Sequence, residues 1–547
     1  MQMGRLITGI TPCLQPNSTY WQAQATRLGG IITHSNFGSF IQINYVKYRL
    51  ILIRCIHHGN HEPMRFLILT CSFVALLSSC TFTTQSVPEL KIARKFSQED
   101  DKNPKHFQIF FDGTSNDYLA RTNVRRRFEM LATAEDPHYP CLYVEGVGVH
   151  TLAGKAFGVG MKQRVVAAYC YLAQHWSSEN KDTLKIYGFS RGAFQARMFA
   201  GLLAHCGLPD ARTHSEKDLM KLADRIWDYC EKELTEPSLE PKLSPEVRLA
   251  KWNAHLKQNN ELVVALANSD TSAKRNSWKF SYPEVRLLGI WDTVPGLPLD
   301  HIVDDSTIVN RKKQPFKISA YPNIKFIVHA LALDEKRSQF HPVRIGSPIS
   351  KETKVYEVWF PGVHSDVGGG YDSNDMAGIS LAWMQKIMEK EQLIGFKHTF
   401  YSDAHGILHH PENVFFNSIG SKKVNRQLRF GDHVDYSVFV RANGKEHPEQ
   451  ITGSPEPKKY IPEFSVIQEN GPPKILRLDQ GPYDRKSALA ALQSVGLDLY
   501  DAERTLDNGP DQTPLSLKEM DIQVTSTAVT PASVEPTIKQ TPKKAVR

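Results

Sequence analysis

Three residues of this sequence, a serine, an aspartate and a histidine, have the types and the local settings needed for acyl transfer. Ser190 is the centre of a Gly-x-Ser-x-Gly motif that runs from Gly188 to Gly192. A short apolar run precedes the motif, and a pattern with helical spacing follows it. On a sharp strand-to-helix turn a serine hydroxyl projects clear of the sheet, and the two glycines prevent clashes where strand and helix crowd together. The motif therefore predicts that Ser190 is a nucleophile and that Gly188 and Gly192 form its turn.

Two further residues could complete a proton relay with this serine. Asp292 directly follows the apolar run 285–291, and His364 follows the apolar run 355–360. The carboxyl ends of parallel strands share one edge of a sheet, so residues distant in sequence can meet there. The order Ser, Asp, His along the chain is that of α/β-hydrolases. We expect His364 to accept the serine proton and Asp292 to fix the imidazole tautomer.

Other residues compete for these two roles. His329 is the main rival histidine, but it lies in the segment 324–340, whose apolar spacing predicts a helix, where a packing role is more common. Asp366 lies two positions after His364, and Asp334 ends the same predicted helix. Either carboxylate could take the place of Asp292, and the spacing alone does not decide among them.

The stabilisation of an oxyanion requires backbone N–H groups near the nucleophile. Arg191 opens the helix after Ser190, so its N–H is predicted to point at the developing charge. Gly113 and Thr114 follow the first apolar strand, where such sheets supply a second donor, and we assign them that role. Asp112 is left as either a support for this loop or a metal ligand.

The elements that must hold these residues follow from the apolar runs. Short unalternating runs at 106–111, 141–144, 184–187, 285–291 and 355–360 predict buried strands, with helices at about 161–176 and 376–390. Buried runs of this kind that alternate with helices indicate a mostly parallel α/β sheet with helices on both faces. Residues 210–282 are predicted to be a helical insertion, which is equally consistent with a cap over the site and with a plain structural insertion.

The chain before the first strand resembles an export signal. Residues 64–80 combine a basic residue, a short apolar core and a Leu-Ser-Ser-Cys ending like a bacterial lipobox, which predicts lipidation of Cys80. Residues 1–63 would then be an upstream artefact of start assignment, and 81–105 a polar tether. The threonine after Cys80 suggests the outer membrane. We predict a catalytic domain at 106–400, an accessory region at 401–508 and a disordered tail at 509–547.

Composition narrows the classes of protein. Apolar residues make up 41% and charged residues 23% of the 547 positions, as in ordinary globular proteins. The net charge of +8 is modest for this length and is compatible with an anionic lipid surface. No nucleic-acid-binding signature and no zinc spacing is present, so we expect no nucleic-acid partner, no cofactor and no metal. In an oxidising compartment, four cysteines beyond residue 105 could pair, although their spacing indicates no pairing.

Five stretches together resemble one known family. They are Asp112-Gly-Thr-Ser-Asn, Gly188-Phe-Ser-Arg-Gly-Ala-Phe-Gln-Ala-Arg197, Gly289-Ile-Trp-Asp-Thr-Val294, His329-Ala-Leu-Ala-Leu-Asp-Glu-Lys-Arg337 and Val358-Trp-Phe-Pro-Gly-Val-His-Ser-Asp-Val-Gly-Gly-Gly-Tyr371. In this order they are similar to the catalytic domain of type VI secretion lipase effectors, which are α/β-hydrolases with phospholipase activity. The resemblance covers about 106–400 and implies that Ser190, Asp292 and His364 are the catalytic residues. It also implies a secretion or immunity protein as a partner.

The main hypothesis is a serine hydrolase of lipid esters, most simply a phospholipase acting through an acyl-enzyme on membrane phospholipid. The lipobox places it in the bacterial envelope, lipid-anchored at the outer membrane, whereas the resemblance favours a secreted effector. A second hypothesis is a metal-dependent hydrolase that uses Asp112, His364 and Asp366. A third is a non-catalytic envelope lipoprotein that keeps the hydrolase fold as a binding module.

Overall fold

The computed structural model describes residues 90–92, 103–114, 116, 119–133, 136, 138–147, 160–240, 242–269, 277–295, 318–394, 398–410, 424–443, 446–450, 456–468, 471–479 and 481–501. The chain divides into two units, Met1–Thr84 and Gln85–Arg547, and all of the described residues belong to the second. The upstream segment 1–63, the export signal 64–80 with Cys80, and the tail 509–547 lie outside the described residues.

Strands and helices alternate through the first two thirds of the described chain. The strands are β1 Leu90–Ile92, β2 His106–Phe111, β3 Cys141–Val144, β4 Thr183–Phe189, β5 Leu208–Pro209, β6 Phe280–Ser281, β7 Val285–Trp291, β8 Ile324–Ala332, β9 Lys354–Phe360, β10 Leu408–His409, β11 Gln427–Arg429, β12 His433–Asp435, β13 Glu446–Gln450, β14 Glu456–Lys459, β15 Glu463–Ile467, β16 Lys474–Arg477 and β17 Asp498–Tyr500. The helices are α1 Asn123–Thr133, α2 Met161–His175, α3 Arg191–Cys206, α4 Glu216–Lys232, α5 Pro245–Asn268, α6 His364–Gly368, α7 Ala377–Lys390, α8 Ser437–Ala442 and α9 Arg485–Gln493, with a 3-10 turn at Ser338–Phe340.

Nine strands form one sheet in the order β1-β3-β2-β4-β7-β8-β9-β12-β17. The edge strand β1 is antiparallel to β3, and every other neighbouring pair in this sheet is parallel. The strand β1 lies within the segment 81–105, which the sequence predicts as a tether. Because the parallel strands run the same way, Ser190, Asp292 and the loop before His364 all emerge at one edge.

Both faces of the sheet are covered, as the unalternating strands predict. On one face, side chains such as Ile109 and Ile186 pack with helices α2, α3 and α4. On the other face, side chains such as Phe110 and Tyr187 pack with α1 and α7. The successive residues of a strand point to opposite faces, so each central strand contributes to both cores. The predicted mostly parallel α/β sheet with helices on both faces is confirmed.

The region 401–508 adds strands to this sheet. β12 pairs with β9, and β17 pairs with β12, so the sheet continues beyond residue 400. A third apolar cluster joins the region to the sheet, and it includes Trp359 of β9, Val434 of β12 and Leu492 of α9. The same region also forms two small three-stranded sheets, β10-β13-β14 and β11-β15-β16.

The helix predicted for 324–340 is wrong, because the first nine residues of that segment form the central strand β8. Ile324, Val328 and Leu331 are spaced as on a helix, which suggested the incorrect assignment. In the sheet β8 lies between β7 and β9 and is covered on both faces, so its buried residues need not alternate along the sequence.

The predicted insertion 210–282 contains the two long helices α4 and α5. Ser215 and Ser244 cap their N-termini by accepting hydrogen bonds from Asp218 N and Val247 N, as serine commonly does. The cysteines Cys141, Cys170, Cys206 and Cys230 are all buried free thiols.

A buried lysine on a central strand of the sheet leads to a prediction about stability. Lys185 on β4 is only 5% exposed, and no carboxylate among the described residues lies within ion-pair distance. Burial, with help from the charges of Arg127 and Arg286, lowers its pKa from 10.5 to about 7. The unfolded chain therefore binds this proton up to a higher pH than the folded chain, so stability should rise as pH increases from about 7 towards 10.

Replacing this side chain with methionine, Lys185→Met, removes the charge and keeps the length. We expect an unfolding free energy raised by about 2 kcal/mol or more at pH 6 to 7, with a shallower rise above pH 7. Urea unfolding at several pH values measures both effects. Lys217→Met, at an exposed position on α4, is the matched control and should change neither. Equal stability of the Lys185 variant and the native protein at pH 6 would contradict the prediction.

Candidate active site

Ser190 stands at the turn between β4 and α3. Its backbone is left-handed, with φ 59° and ψ −127°, a strained state for a residue with a side chain. A hydrogen bond from Ser190 N to Trp291 O, 3.0 Å long, holds the turn against the neighbouring strand. The turn also requires glycine at position 188, where a Cβ would lie 2.6 Å from the Cα of Ala193. The local sequence therefore produces the sharp corner predicted from its glycines.

The structure brings the three predicted residues together in one hydrogen-bonded chain. His364 Nε2 lies 2.7 Å from Ser190 Oγ, and His364 Nδ1 lies 2.5 Å from Asp292 Oδ2. A carboxylate can only accept, so the imidazole carries its proton on Nδ1 and leaves Nε2 to accept from the serine hydroxyl. All three side chains are buried or nearly so, with Ser190 and His364 each 4% exposed. This is the arrangement needed to remove the serine proton.

The imidazole packs against two aromatic rings. The ring centroids of Phe189 and Phe340 lie 4.7 and 4.8 Å from that of His364. The backbone N–H of His364 donates to Glu335 Oε2 at 3.3 Å. Burial lowers the pKa of His364 below its usual 6.5, although the hydrogen bond to Asp292 opposes the shift. At neutral pH the histidine is therefore uncharged, as a general base must be.

Asp292 is fixed from several directions. Its backbone is left-handed with φ 39°, and Ala332 N donates to its Oδ1 at 3.0 Å. Arg426 donates from both terminal nitrogens, to Oδ1 and, at 2.9 Å, to Oδ2. Burial would raise the pKa of Asp292, but Arg426 and the hydrogen bond from His364 outweigh it and hold the pKa far below the usual range. The carboxylate is therefore ionised at neutral pH.

Sequence reasoning missed Arg426. It lies 134 positions after Asp292 in a segment without periodicity. The sequence contains 66 lysines and arginines in all, and by sequence alone the others would fit an unpaired carboxylate as well. A basic residue just before a short strand is too common a pattern to identify it. Only the folded chain shows that this guanidinium contacts the acid.

The rival residues have other partners. His329 lies on β8, not on a helix, with Nδ1 2.8 Å from Glu357 Oε2 and Nε2 3.2 Å from Thr293 N. Asp366 binds the ring of His409 at 2.5 Å. A separate carboxylate, Asp334, accepts from the backbone N–H of Gly362 and from the hydroxyl of Tyr460. None of these hydrogen bonds involves the side chain of Ser190 or of His364.

The loop after β2 lies beside the serine turn. Asp112 is buried, and burial raises its pKa to about 6 despite hydrogen bonds from Thr122, Tyr143 and the N–H of Gly113. The Gly113 N–H, at 2.6 Å from Asp112 Oδ1, is thus already engaged. Thr114 Oγ1 is buried and has no hydrogen-bond partner among the described residues. Asp112 therefore supports this loop.

The metal hypothesis requires Asp112, His364 and Asp366 to converge. Instead, each of these three residues forms hydrogen bonds with a different set of partners. Within the described ranges, no group of three or more His, Cys, Asp or Glu side chains could hold a metal ion. Over the same part of the chain, no helix combines the length and the apolar character needed to cross a bilayer.

Comparison with known proteins adds distant similarities. An uncharacterized protein of Saccharomyces cerevisiae is 22% identical over 324 residues, which cover 55% of this chain and 40% of that protein, so the chain spans well under two thirds of this relative. A solved structure of the Tle1 effector bound to the VgrG spike of the type 6 secretion system is 16% identical, with a TM-score of 0.25, over 57% of this chain and 69% of the other. Esterase 2 of Thermogutta terrifontis is 11% identical, with a TM-score of 0.27, over 57% of this chain and 98% of the other.

A family profile gives a specific match. The profile of the type VI secretion phospholipase effector Tle1-like catalytic domain matches residues 105–387, just over half of the 547 positions. The matched segment contains Ser190, Asp292 and His364 and the strands that carry them, arranged as an α/β-hydrolase sheet. The chain therefore belongs to the Tle1-like family of type VI secretion phospholipase effectors and contains its catalytic domain.

Proposed function

We propose that this protein is a serine hydrolase that cleaves carboxylic ester bonds of membrane phospholipids through an acyl-enzyme. The observation that carries the proposal is the continuous chain from Ser190 Oγ through the His364 ring to Asp292, with contacts of 2.7 and 2.5 Å. Membership of a phospholipase effector family supports the choice of lipid as substrate.

The reaction follows from the positions of the protons. Ser190 Oγ attacks the ester carbonyl carbon while His364 Nε2 takes the hydroxyl proton, and Asp292 stabilises the resulting imidazolium. The tetrahedral intermediate collapses, and His364 returns the proton to the leaving alcohol, which departs as a lysophospholipid. Water then attacks the acyl-enzyme with His364 as base, and a free fatty acid leaves while the serine is regenerated.

Two donors are proposed for the developing oxyanion. Arg191 is the first residue of α3, so its N–H lies at a helix N-terminus directly after the nucleophile. Because the Gly113 N–H already donates to Asp112, we propose Thr114 as the second donor, through its N–H or its buried hydroxyl. Gly113, the other residue predicted for this role, then serves to bring the loop close to the serine turn, because a Cβ there would lie 2.8 Å from the ring of Phe189.

The family also supports a proposal about delivery. We propose that the protein acts as an effector on a membrane surface and that a secretion or immunity protein is its partner. Lipid anchoring at Cys80 in the outer membrane stays a prediction, because that residue lies outside the described part of the chain.

The proposal is tested with a long-chain alkyl phosphonate that carries a p-nitrophenol leaving group. We expect one adduct per protein on Ser190, detected by mass spectrometry of the intact chain and of its peptides, and parallel loss of phospholipid hydrolysis. Hydrolysis is measured as fatty acid and lysophospholipid released from vesicles. Ser190→Ala should take up no phosphonate and release no product.

Thr293→Ser is a useful matched control, because it alters a hydroxyl residue next to the catalytic acid and leaves Ser190 in place. This variant should label like the native protein. Stoichiometric labelling at another serine, or hydrolysis that survives full labelling, would contradict the assignment of the nucleophile. An absence of both labelling and turnover would favour the non-catalytic hypothesis.

A further inference from the structure

We propose that Arg426, which lies outside the segment matched by the family profile, is a positioning residue of the active site. It orients the Asp292 carboxylate and limits how strongly that carboxylate favours the protonated form of His364. This inference rests on the proposed function, because it assigns Arg426 a role in the reaction of the same three residues.

The first support is geometric. The guanidinium of Arg426 spans both oxygens of Asp292, and its second terminal nitrogen also donates to Phe340 O at 2.6 Å. A planar guanidinium that binds a carboxylate through two nitrogens fixes the plane of that carboxylate. The Arg426 side chain is 3% exposed, and that of Asp292 is fully buried, so water does not compete for these bonds. The oxygen that faces His364 Nδ1 is therefore held in place by Arg426.

The second support is that the segment carrying Arg426 is anchored on the catalytic sheet. Val424 N donates to Lys336 O at 2.8 Å, just before the arginine. Just after it, Asp432 binds the guanidinium of Arg344 through two contacts of 2.7 and 2.9 Å. β12, which follows directly, pairs with β9. The backbone on both sides of Arg426 is therefore anchored, which holds the arginine at a fixed position relative to Asp292.

The third support is the balance of charge around the imidazole. Three other charged groups face the site: Asp292 after β7, and Glu335 and Arg337 after β8. Glu335 is paired with Arg337 in two contacts, so that pair adds little net charge. Arg426 likewise neutralises most of the charge of Asp292. Without it, an uncompensated carboxylate would stabilise the imidazolium more strongly and keep the base protonated to higher pH.

Two variants separate the charge of Arg426 from its geometry. Arg426→Gln removes the charge, and we expect kcat to fall about 30-fold, KM to change less than about threefold, and the acid limb of kcat/KM to move up by about 1 pH unit. Arg426→Lys keeps the charge and loses the planar fork, so kcat should fall about tenfold while the acid limb stays in place. Rates on phospholipid vesicles are expressed per site titrated with the phosphonate, which removes any misfolded fraction.

Arg477→Gln is the matched control, since it removes one positive charge from an exposed position on β16 of the same region. It should leave kcat and the acid limb unchanged. Wild-type kcat in both Arg426 variants, or a reduced kcat without any movement of the acid limb in Arg426→Gln, would overturn the proposal. Failure of the native protein to label and turn over is a different result, because it removes the proposed function itself.

Discussion

His364→Gln should reduce kcat on phospholipid vesicles by at least about 10⁴-fold while leaving the thermal midpoint close to that of the native protein. The imidazole is the group that links Ser190 Oγ at 2.7 Å to Asp292 at 2.5 Å. Glutamine retains the approximate size and a hydrogen-bonding group but cannot accept and release a proton at neutral pH. The serine hydroxyl then has no base, and only the oxyanion donors and substrate binding remain to accelerate the reaction.

The matched control is His106→Gln at the other end of the sheet. His106 begins β2 and contacts Thr183 Oγ1 at 2.8 Å, far along the strands from the catalytic edge. This variant should retain a native kcat within about twofold. A His364→Gln protein that still hydrolyses phospholipid at more than about one hundredth of the native rate would show that another base serves Ser190.

Gly192→Ala should have the largest effect on folding. A Cβ at this position would lie 2.2 Å from Phe111 O and 2.4 Å from Asp112 O, and both of these atoms belong to backbone. Backbone at the end of a central strand cannot move aside, so either α3 must shift or β2 must be displaced. We expect a loss of at least about 4 kcal/mol of unfolding free energy, or failure to accumulate folded protein, measured by urea unfolding and soluble yield.

Gly431→Ala provides the comparison, because nothing lies within 4 Å of a Cβ there and only the left-handed φ of 81° opposes the change. That substitution should cost about 1 kcal/mol. Equal losses of stability in the two variants would contradict the prediction, because they would show that the close contact between α3 and β2 is relieved at little cost.

The sequence was sufficient for the features that depend on local chemistry. The Gly-x-Ser-x-Gly turn, and polar residues directly after apolar runs, predicted where Ser190, Asp292 and His364 would lie, and the structure brings them together. Glycine at 188 and 192 carries this information because the turn excludes every side chain. Each of these signals occupies a few adjacent positions, so it can be recognised in a single sequence.

Features that depend on contacts between residues distant in sequence could not be predicted from the sequence alone. The helix predicted for 324–340 is wrong because the apolar residues of β8, a strand covered on both faces, happen to have helical spacing. The polar ring of His329 on this strand is satisfied by Glu357 on the neighbouring strand. No local pattern reveals such a cross-strand partner. Arg426 was missed for the same reason, since its role depends on a contact 134 positions away.

The pairing of β12 with β9 has a consequence for how this enzyme fold can be divided. A fragment that stopped at residue 387, where the family profile ends, would leave the peptide groups of β9 open along one side of the sheet. Exposed strand borders of this kind recruit other chains and promote aggregation. The smallest piece of this protein that keeps the whole sheet should therefore extend through Tyr500, the last residue of β17.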